Sequence, residues 1–197
     1  MYCVEMSRPV DEERPGELLA AILQHLIEHG VTDLSLRPLA KAVRSSPRAL
    51  LYHFGSKEKL LMSVFAEIRQ RQQVLFAQIE SETFADACGE MWNALSAPSF
   101  EQQVRLFFEL YGVALRQPVL YKEFLASAVD DWLEFAVKQL RKDGYKRREA
   151  VLLATTVLAG FRGFLLDLCA TQDRERVNRA VSAWLKNLNT NVPTREV

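Results

Sequence analysis

Residues 34–60 read LSLRPLAKAVRSSPRALLYHFGSKEKL, and this 27-residue run carries the strongest local signals in the chain. Leu36, Leu39, Ala40 and Val43 recur at helical spacing behind Ser35, a residue suited to an N-cap. Pro38 is tolerated in a first turn, where a missing N–H costs little. Arg44-Ser45 makes a tight turn. Ser46 then caps a third helix with Pro47 at its first position. That helix ends near Phe54-Gly55, and Ser56 caps a long fourth helix carrying Glu58 in its first turn, where the dipole favours an acid. Lys59 stands where a capping box would place Glu or Gln.

Two short helices joined by a tight turn, with a further helix on either side, form a helix-turn-helix arrangement. Leu36, Leu39, Ala40, Val43, Ala49, Leu50 and Phe54 supply its small core. Arg37, Lys41, Ser46, Pro47, Arg48, Leu51, Tyr52, His53 and Lys57 are left for the outside. Between Asp33 and Lys59 six basic residues face two acidic ones, a local charge of +4 in a chain whose formal net charge is zero. A solvated helical hairpin accounts for such a face. So does a surface that lies against phosphates, with the N-terminal residues of the second helix reading bases in the major groove.

Outward from this run the chain reads as helix almost throughout. Upstream, Leu18, Leu19, Ile22, Leu23, Leu26 and Ile27 form one apolar stripe between Pro15 and Gly30. The fourth helix continues to about Ile79. Further stretches fall near Phe84–Leu95, Phe100–Arg116, Leu120–Lys142, Arg147–Ala170 and Glu175–Leu188. The breaks are Ala97-Pro98, Gln117-Pro118, Asp143-Gly144 and Thr171–Asp173. The expected class is all-α, with an N-terminal helix-turn-helix head and a C-terminal helical domain. The expected divisions are 1–60, 61–190 and a frayed tail at 191–197.

A composition of 49% hydrophobic and 25% charged residues excludes disorder and supports a packed core. Cys3, Cys88 and Cys169 form no disulfide framework, and the acidic N-terminus lacks a signal-peptide pattern, so a cytoplasmic protein is expected. The apolar segment Val151–Ala170 is about as long as a membrane span. Arg162 and Asp167 lie well inside it, at about 2.5–3.5 kcal/mol each on insertion scales, so a buried helix and no membrane partner are expected.

One enzyme motif is present. His25-Leu26-Ile27-Glu28-His29 matches H-x-x-E-H, which places two imidazoles one turn apart with a carboxylate between them. No third-ligand motif accompanies it, and the same helix supplies the apolar stripe. G-x-S-x-G, P-loop and G-x-G-x-x-G motifs are lacking as well. No enzyme activity, metal or cofactor is therefore expected.

Leu39-Ala40, Ser46, the block from Leu50 to Phe54 and the run Ser56-Lys57-Glu58-Lys59-Leu60-Leu61 resemble the DNA-binding head of TetR-family transcriptional regulators. The resemblance is close from Leu18 to Leu61 and extends to the remainder only in length and helical pattern. Arg44 replaces the family's usual turn glycine, Ser45 an apolar residue, and Leu51 a common tyrosine. The resemblance implies a regulator, of repressor type, that binds a double-stranded operator and is tuned by a small molecule. It further implies phosphate contacts from Tyr52, His53 and Lys57, with backbone donors at the Ser56 helix start. His53 also reads as a helix-end residue bonded to a carbonyl.

The full DNA-facing set is Ser35, Arg37, Arg44, Ser46, Pro47, Arg48, Leu51, Tyr52, His53 and Lys57. Arg48 is the leading base reader, and Leu51 suits thymine methyl groups. A head that keeps the fold but binds a protein instead is the alternative.

In the family the last two long helices pair as a four-helix bundle in a homodimer. Val157, Gly160, Phe164, Val181, Trp184, Leu185 and Leu188 are the corresponding contact candidates, unless both helices bury within one protomer. Trp92, Phe107, Phe108, Tyr111, Trp132, Phe135, Phe161 and Phe164 are core aromatics that also suit an apolar, planar effector. Tyr111, Arg105, Asp131 and Arg162 are candidate polar anchors.

Overall fold

A computed structural model of the chain describes residues 15–32 and 34–189. Its helices are α1 (Pro15–His29), α2 (Leu36–Ala42), α3 (Pro47–Phe54), α4 (Lys57–Ala77), α5 (Phe84–Leu95), α6 (Glu101–Arg116), α7 (Lys122–Lys142), α8 (Arg147–Thr171) and α9 (Arg174–Asn189). A 3-10 turn, Pro98–Phe100, precedes α6. No strand occurs among the described residues. The expected tail at 191–197 lies outside them.

Helix ends follow their local chemistry. Ser46, Ser56 and Thr83 sit at N-caps in extended conformation and accept from the amides of Ala49, Lys59 and Asp86. Such caps contribute about 1 kcal/mol each. Ser35 has the N-cap backbone conformation, but its hydroxyl makes no capping bond. α4 stops at Ala77, two residues short of the sequence expectation. α7 starts only at Lys122, because residues 117–121 form a turn that buries Tyr121.

Two apolar clusters share α4. The first joins α1, α2, α3 and the start of α4, and includes Ile22 and Leu26 with Leu39, Leu50, Leu60 and Val64. It also takes Leu106, Leu110, Ala114 and Tyr121 from α6 and the following turn, so α6 completes the core of the head. The second is built from the end of α4 and from α5 to α9, around Met91, Trp92, Trp132, Ala154, Val157 and Phe161. A fully buried leucine contributes roughly 1.5–3 kcal/mol. The head therefore depends on the body for part of its stability.

Candidate nucleic-acid interface and effector cavity

The turn between α2 and α3 is a helix end closed by two bonds. The Ser45 amide donates to the Ala40 carbonyl at 2.8 Å and the Arg44 amide to Lys41 at 3.3 Å. This bonding pattern places the residue that follows the helix cap in the left-handed region, usually as glycine. Arg44 occupies that position with φ 54°. The arginine thus carries backbone strain of about 1 kcal/mol or more and presents its exposed side chain beside α3.

α3 buries Leu50 and half-buries Ala49 and Phe54. Its outer face carries Pro47, Arg48, Leu51 and Tyr52, all exposed, at the i, i+1, i+4, i+5 spacing of one helix side. Tyr52 is 84% exposed and Leu51 43%. Arg37 and Lys41 stand exposed on α2, one turn apart, and Ser35 and Ser46 are exposed at the two helix starts. With Arg44, eight of the ten sequence-derived positions are therefore open to an external partner. His53 is half-buried, with its ring edge-on to Tyr52 at 5.3 Å.

Lys57 is placed differently from the expectation. Its Nζ donates to the Leu34 carbonyl, which ties the start of α4 to the entry of α2. The lysine is half-buried and braces the head internally. The helix start at Ser56 also has internal anionic company. The Glu58 carboxyl is held below its ordinary value by its own backbone amide and by the Ser56 hydroxyl. That helix N-terminus therefore already faces a carboxylate.

The head is joined to the body at Gly30. The Val31 amide donates to Glu109 Oε2 of α6 at 2.7 Å. Gly30 has φ 74°, and a Cβ there would lie 2.6 Å from the same oxygen. On the other side of α4, Arg69 forms a bidentate ion pair with Asp131 of α7, the second bond at 2.9 Å, and Gln73 donates to the same carboxylate at 3.3 Å. Sequence inspection had no signal for these pairs, which lie 58 to 78 residues apart.

A cavity of about 100 Å³ lies where these elements meet. Leu23 and Ile27 of α1, Ile68, Arg71, Gln72 and Leu75 of α4, and Phe107, Phe108, Trp132, Phe161 and Arg162 are among its lining residues. Four of the eight aromatic candidates, Phe107, Phe108, Trp132 and Phe161, do line it. The other four are engaged elsewhere. Trp92 donates its indole N–H to Asn178 at 2.9 Å, Phe135 stacks on Phe76, and Phe164 packs on Trp184. Tyr111, outside the lining, accepts from Arg162 at 3.3 Å. Of the anchors, Arg105 bonds Glu101 and the Cys169 carbonyl, and Asp131 is taken by Arg69, so only Arg162 reaches the cavity. Leu23, Ile27 and Leu75 were read from sequence only as core stripe, because periodicity does not tell a cavity wall from a filled core.

The dimer candidates lie largely within the protomer. Val157 and Val181 are buried, and Gly160 lies against the Trp184 ring, with a Cβ there falling 2.5 Å from Cζ2. Phe164 and Leu185 pack on the same core. The Leu188 side chain lies outside the described residues. The apolar surface left open on α8 is instead Val151, Leu152, Thr155, Thr156, Ala159, Gly163 and Leu166. The α8 positions singled out from sequence lie on its covered side; both sides of the helix are apolar, so periodicity does not separate them. By length and composition α8 is long and apolar enough to cross a membrane, and a third of its most apolar window is buried here. Asp167 is ion-paired to Arg176 of α9 at 2.7 Å, with Arg162 bonded to α6 and α7.

The H-x-x-E-H side chains are engaged with one another and with their own helix. The His25 and His29 rings stack at 4.2 Å, the His29 Nδ1 donates to the His25 carbonyl at 3.0 Å, and Glu28 accepts from Gln24. Among the described residues no group of three His, Cys, Asp or Glu side chains is placed to hold a metal. Cys88 and Cys169 are free thiols, both pushed up in pKa by burial.

Residues 18–64 match the family described as "Bacterial regulatory proteins, tetR family". The HTH-type transcriptional regulator UidR of Escherichia coli (strain K12) is 28% identical over 102 residues, which span 51% of this chain and about half, 52%, of that relative. A transcriptional regulator from Rhodococcus sp. Rha1 has a similar fold, with a TM-score of 0.76 at 19% identity over 88% of this chain and 94% of that one. BioQ, solved with its natural double-stranded DNA operator, gives a TM-score of 0.54 at 24% identity over 87% of this chain and 98% of that one. The head at residues 18–64 thus matches the tetR family of bacterial regulatory proteins, and the all-helical body shares the fold of solved transcriptional regulators.

Proposed function

We propose that this protein is a sequence-specific, operator-binding transcriptional repressor that works as a homodimer in the cytoplasm, where its DNA lies. The carrying observation is the outer face of α3, with Arg48, Leu51 and Tyr52 exposed on a helix whose start is capped by Ser46 and Pro47. An exposed leucine and tyrosine beside arginines suit a groove that offers methyl groups, base edges and phosphates. The domain division at about residue 60 is functional: the head reads DNA and the body senses. The matched segment of UidR, itself a transcriptional regulator, supports this reading.

Dimerisation uses the open α8 surface around Leu152 and Leu166. Two heads then meet half-sites about 34–36 Å apart. A small effector enters the cavity between α1, α4 and the body. Because Leu23 and Ile27 belong to the head and line that cavity, occupancy bears directly on head position. The effector shifts DNA affinity by its differential binding to the two arrangements.

Selection of bound sequences from random duplex DNA tests the reading. A two-fold related consensus, bound with an affinity that falls steeply with salt, is expected. Enrichment of no sequence, or binding unaffected by salt, would refute it.

A further inference from the structure

The cavity wall contains one charge that the protein does not balance. Arg162 is half-buried on α8. One Nη donates to the Tyr111 hydroxyl at 3.3 Å and the other to the Ala128 carbonyl at 2.8 Å. The guanidinium carbon also lies 5.0 Å from the centre of the Tyr111 ring. All of these partners are neutral. Among the described residues no ion pair includes Arg162. Asp131, an acid on the neighbouring helix α7, is already held by Arg69, and Arg71, the other cation of the lining, pairs with Glu67.

A guanidinium carries five N–H donors in a planar fork that fits a carboxylate. A cation in an apolar wall is costly until it is paired. The remaining wall is apolar apart from Arg71 and two glutamines, and includes Trp132, Phe161 and Leu75. A volume of about 100 Å³ is somewhat smaller than the ~150 Å³ cavities known to take benzene. It therefore limits the hydrocarbon part of a ligand to one small ring or a short branched chain. Resting on the effector reading above, we propose that the cavity takes a small apolar monocarboxylate. Its single charge sits on Arg162, and its hydrocarbon lies between Trp132, Phe161 and Leu75.

Calorimetric titration of the purified full chain with benzoate and with benzamide tests this. The two share a ring and differ in charge. Saturable benzoate binding is expected, with benzamide at least about tenfold weaker, since hydrogen bonds to charged groups are worth that or more. Arg162→Met removes the preference for benzoate and leaves benzamide binding intact. Arg162→Gln, which keeps donors for Tyr111 and Ala128 without the charge, does the same should the methionine variant misfold. Equal affinity for the two probes, or a preference that survives both substitutions, overturns the carboxylate assignment. If both bind equally and Ala128→Leu, which fills the cavity, abolishes both, the effector cavity stands and the carboxylate assignment falls. If neither probe binds, both readings fall.

Discussion

The Val31 amide and the Glu109 carboxylate, 78 residues apart, are joined by a 2.7 Å hydrogen bond that fastens the end of α1 to α6. The bond links the head to the wall of the cavity, since Phe107 and Phe108 precede Glu109 on the same helix. Glu109→Ala leaves a part-buried amide without its partner, at a cost of about 1–3 kcal/mol. A lower melting temperature with weaker operator binding is expected. Unchanged melting would show that water replaces the carboxylate. Gly30→Ala should be worse than Glu109→Ala, because it adds left-handed strain to the contact with the carboxylate.

Arg44 separates stability from recognition. Arg44→Gly relieves the left-handed backbone and should raise stability by up to about 1 kcal/mol. It also removes a cation beside α3, so operator affinity should fall. Denaturant melts and DNA titrations on the same variant check both signs. A rise in both quantities would remove Arg44 from the interface.

Arg48 and Lys57 should now behave unlike one another. Arg48→Ala is expected to relax sequence preference at one base position, with a loss of about 1–3 kcal/mol on the preferred site. Lys57→Ala breaks the bond to the Leu34 carbonyl and should lower the melting temperature as well as affinity for every sequence. Binding-site selection paired with thermal melts distinguishes the two. A Lys57→Ala protein of unaltered stability would restore a purely external role for that lysine.

Two faces of α8 yield opposite outcomes. Leu152→Glu and Leu166→Glu sit on exposed positions and should convert a dimer to a monomer while leaving the protomer's helical content intact. Gly160→Ala drives a methyl into the Trp184 ring and should destabilise the protomer itself, by about 1–3 kcal/mol for overpacking. Sedimentation equilibrium beside circular dichroism reads both.

His25 makes stability depend on pH. Burial first, then the neighbouring His29, lowers its pKa below the ordinary 6.5, against a smaller raising effect of Glu28. Well above 6.5 neither folded nor unfolded imidazole is charged, and His25 has no effect. As pH falls from there to the lowered folded value, the unfolded chain takes up the proton first, so stability declines across that window. Below the folded value the loss is complete. His25→Gln should flatten this part of the stability profile. A slope unchanged by the substitution would assign it to another group.

The helices and the exposed face of α3 were legible because their signals are local. Ser46, Pro47 and Ser56 place helix starts within one turn of themselves, and Leu39, Ala40 and Leu50 repeat at a spacing that only one fold of the segment buries. Arg48, Leu51 and Tyr52 follow as the side those residues leave outside. The bond from Lys57 to the Leu34 carbonyl was not legible, because a backbone acceptor leaves no mark in the sequence.

Residue order alone therefore settled the class, the head and the face of α3 that looks outward, since periodicity and capping act over a few residues. Tertiary structure alone decided which aromatics border the cavity, which side of α8 stays open, and that Arg162 meets only neutral acceptors while Asp131 is taken by Arg69. Those outcomes depend on contacts between residues tens of positions apart. Apolar composition is the same for a filled core, a cavity wall and an uncovered face; only packing tells them apart.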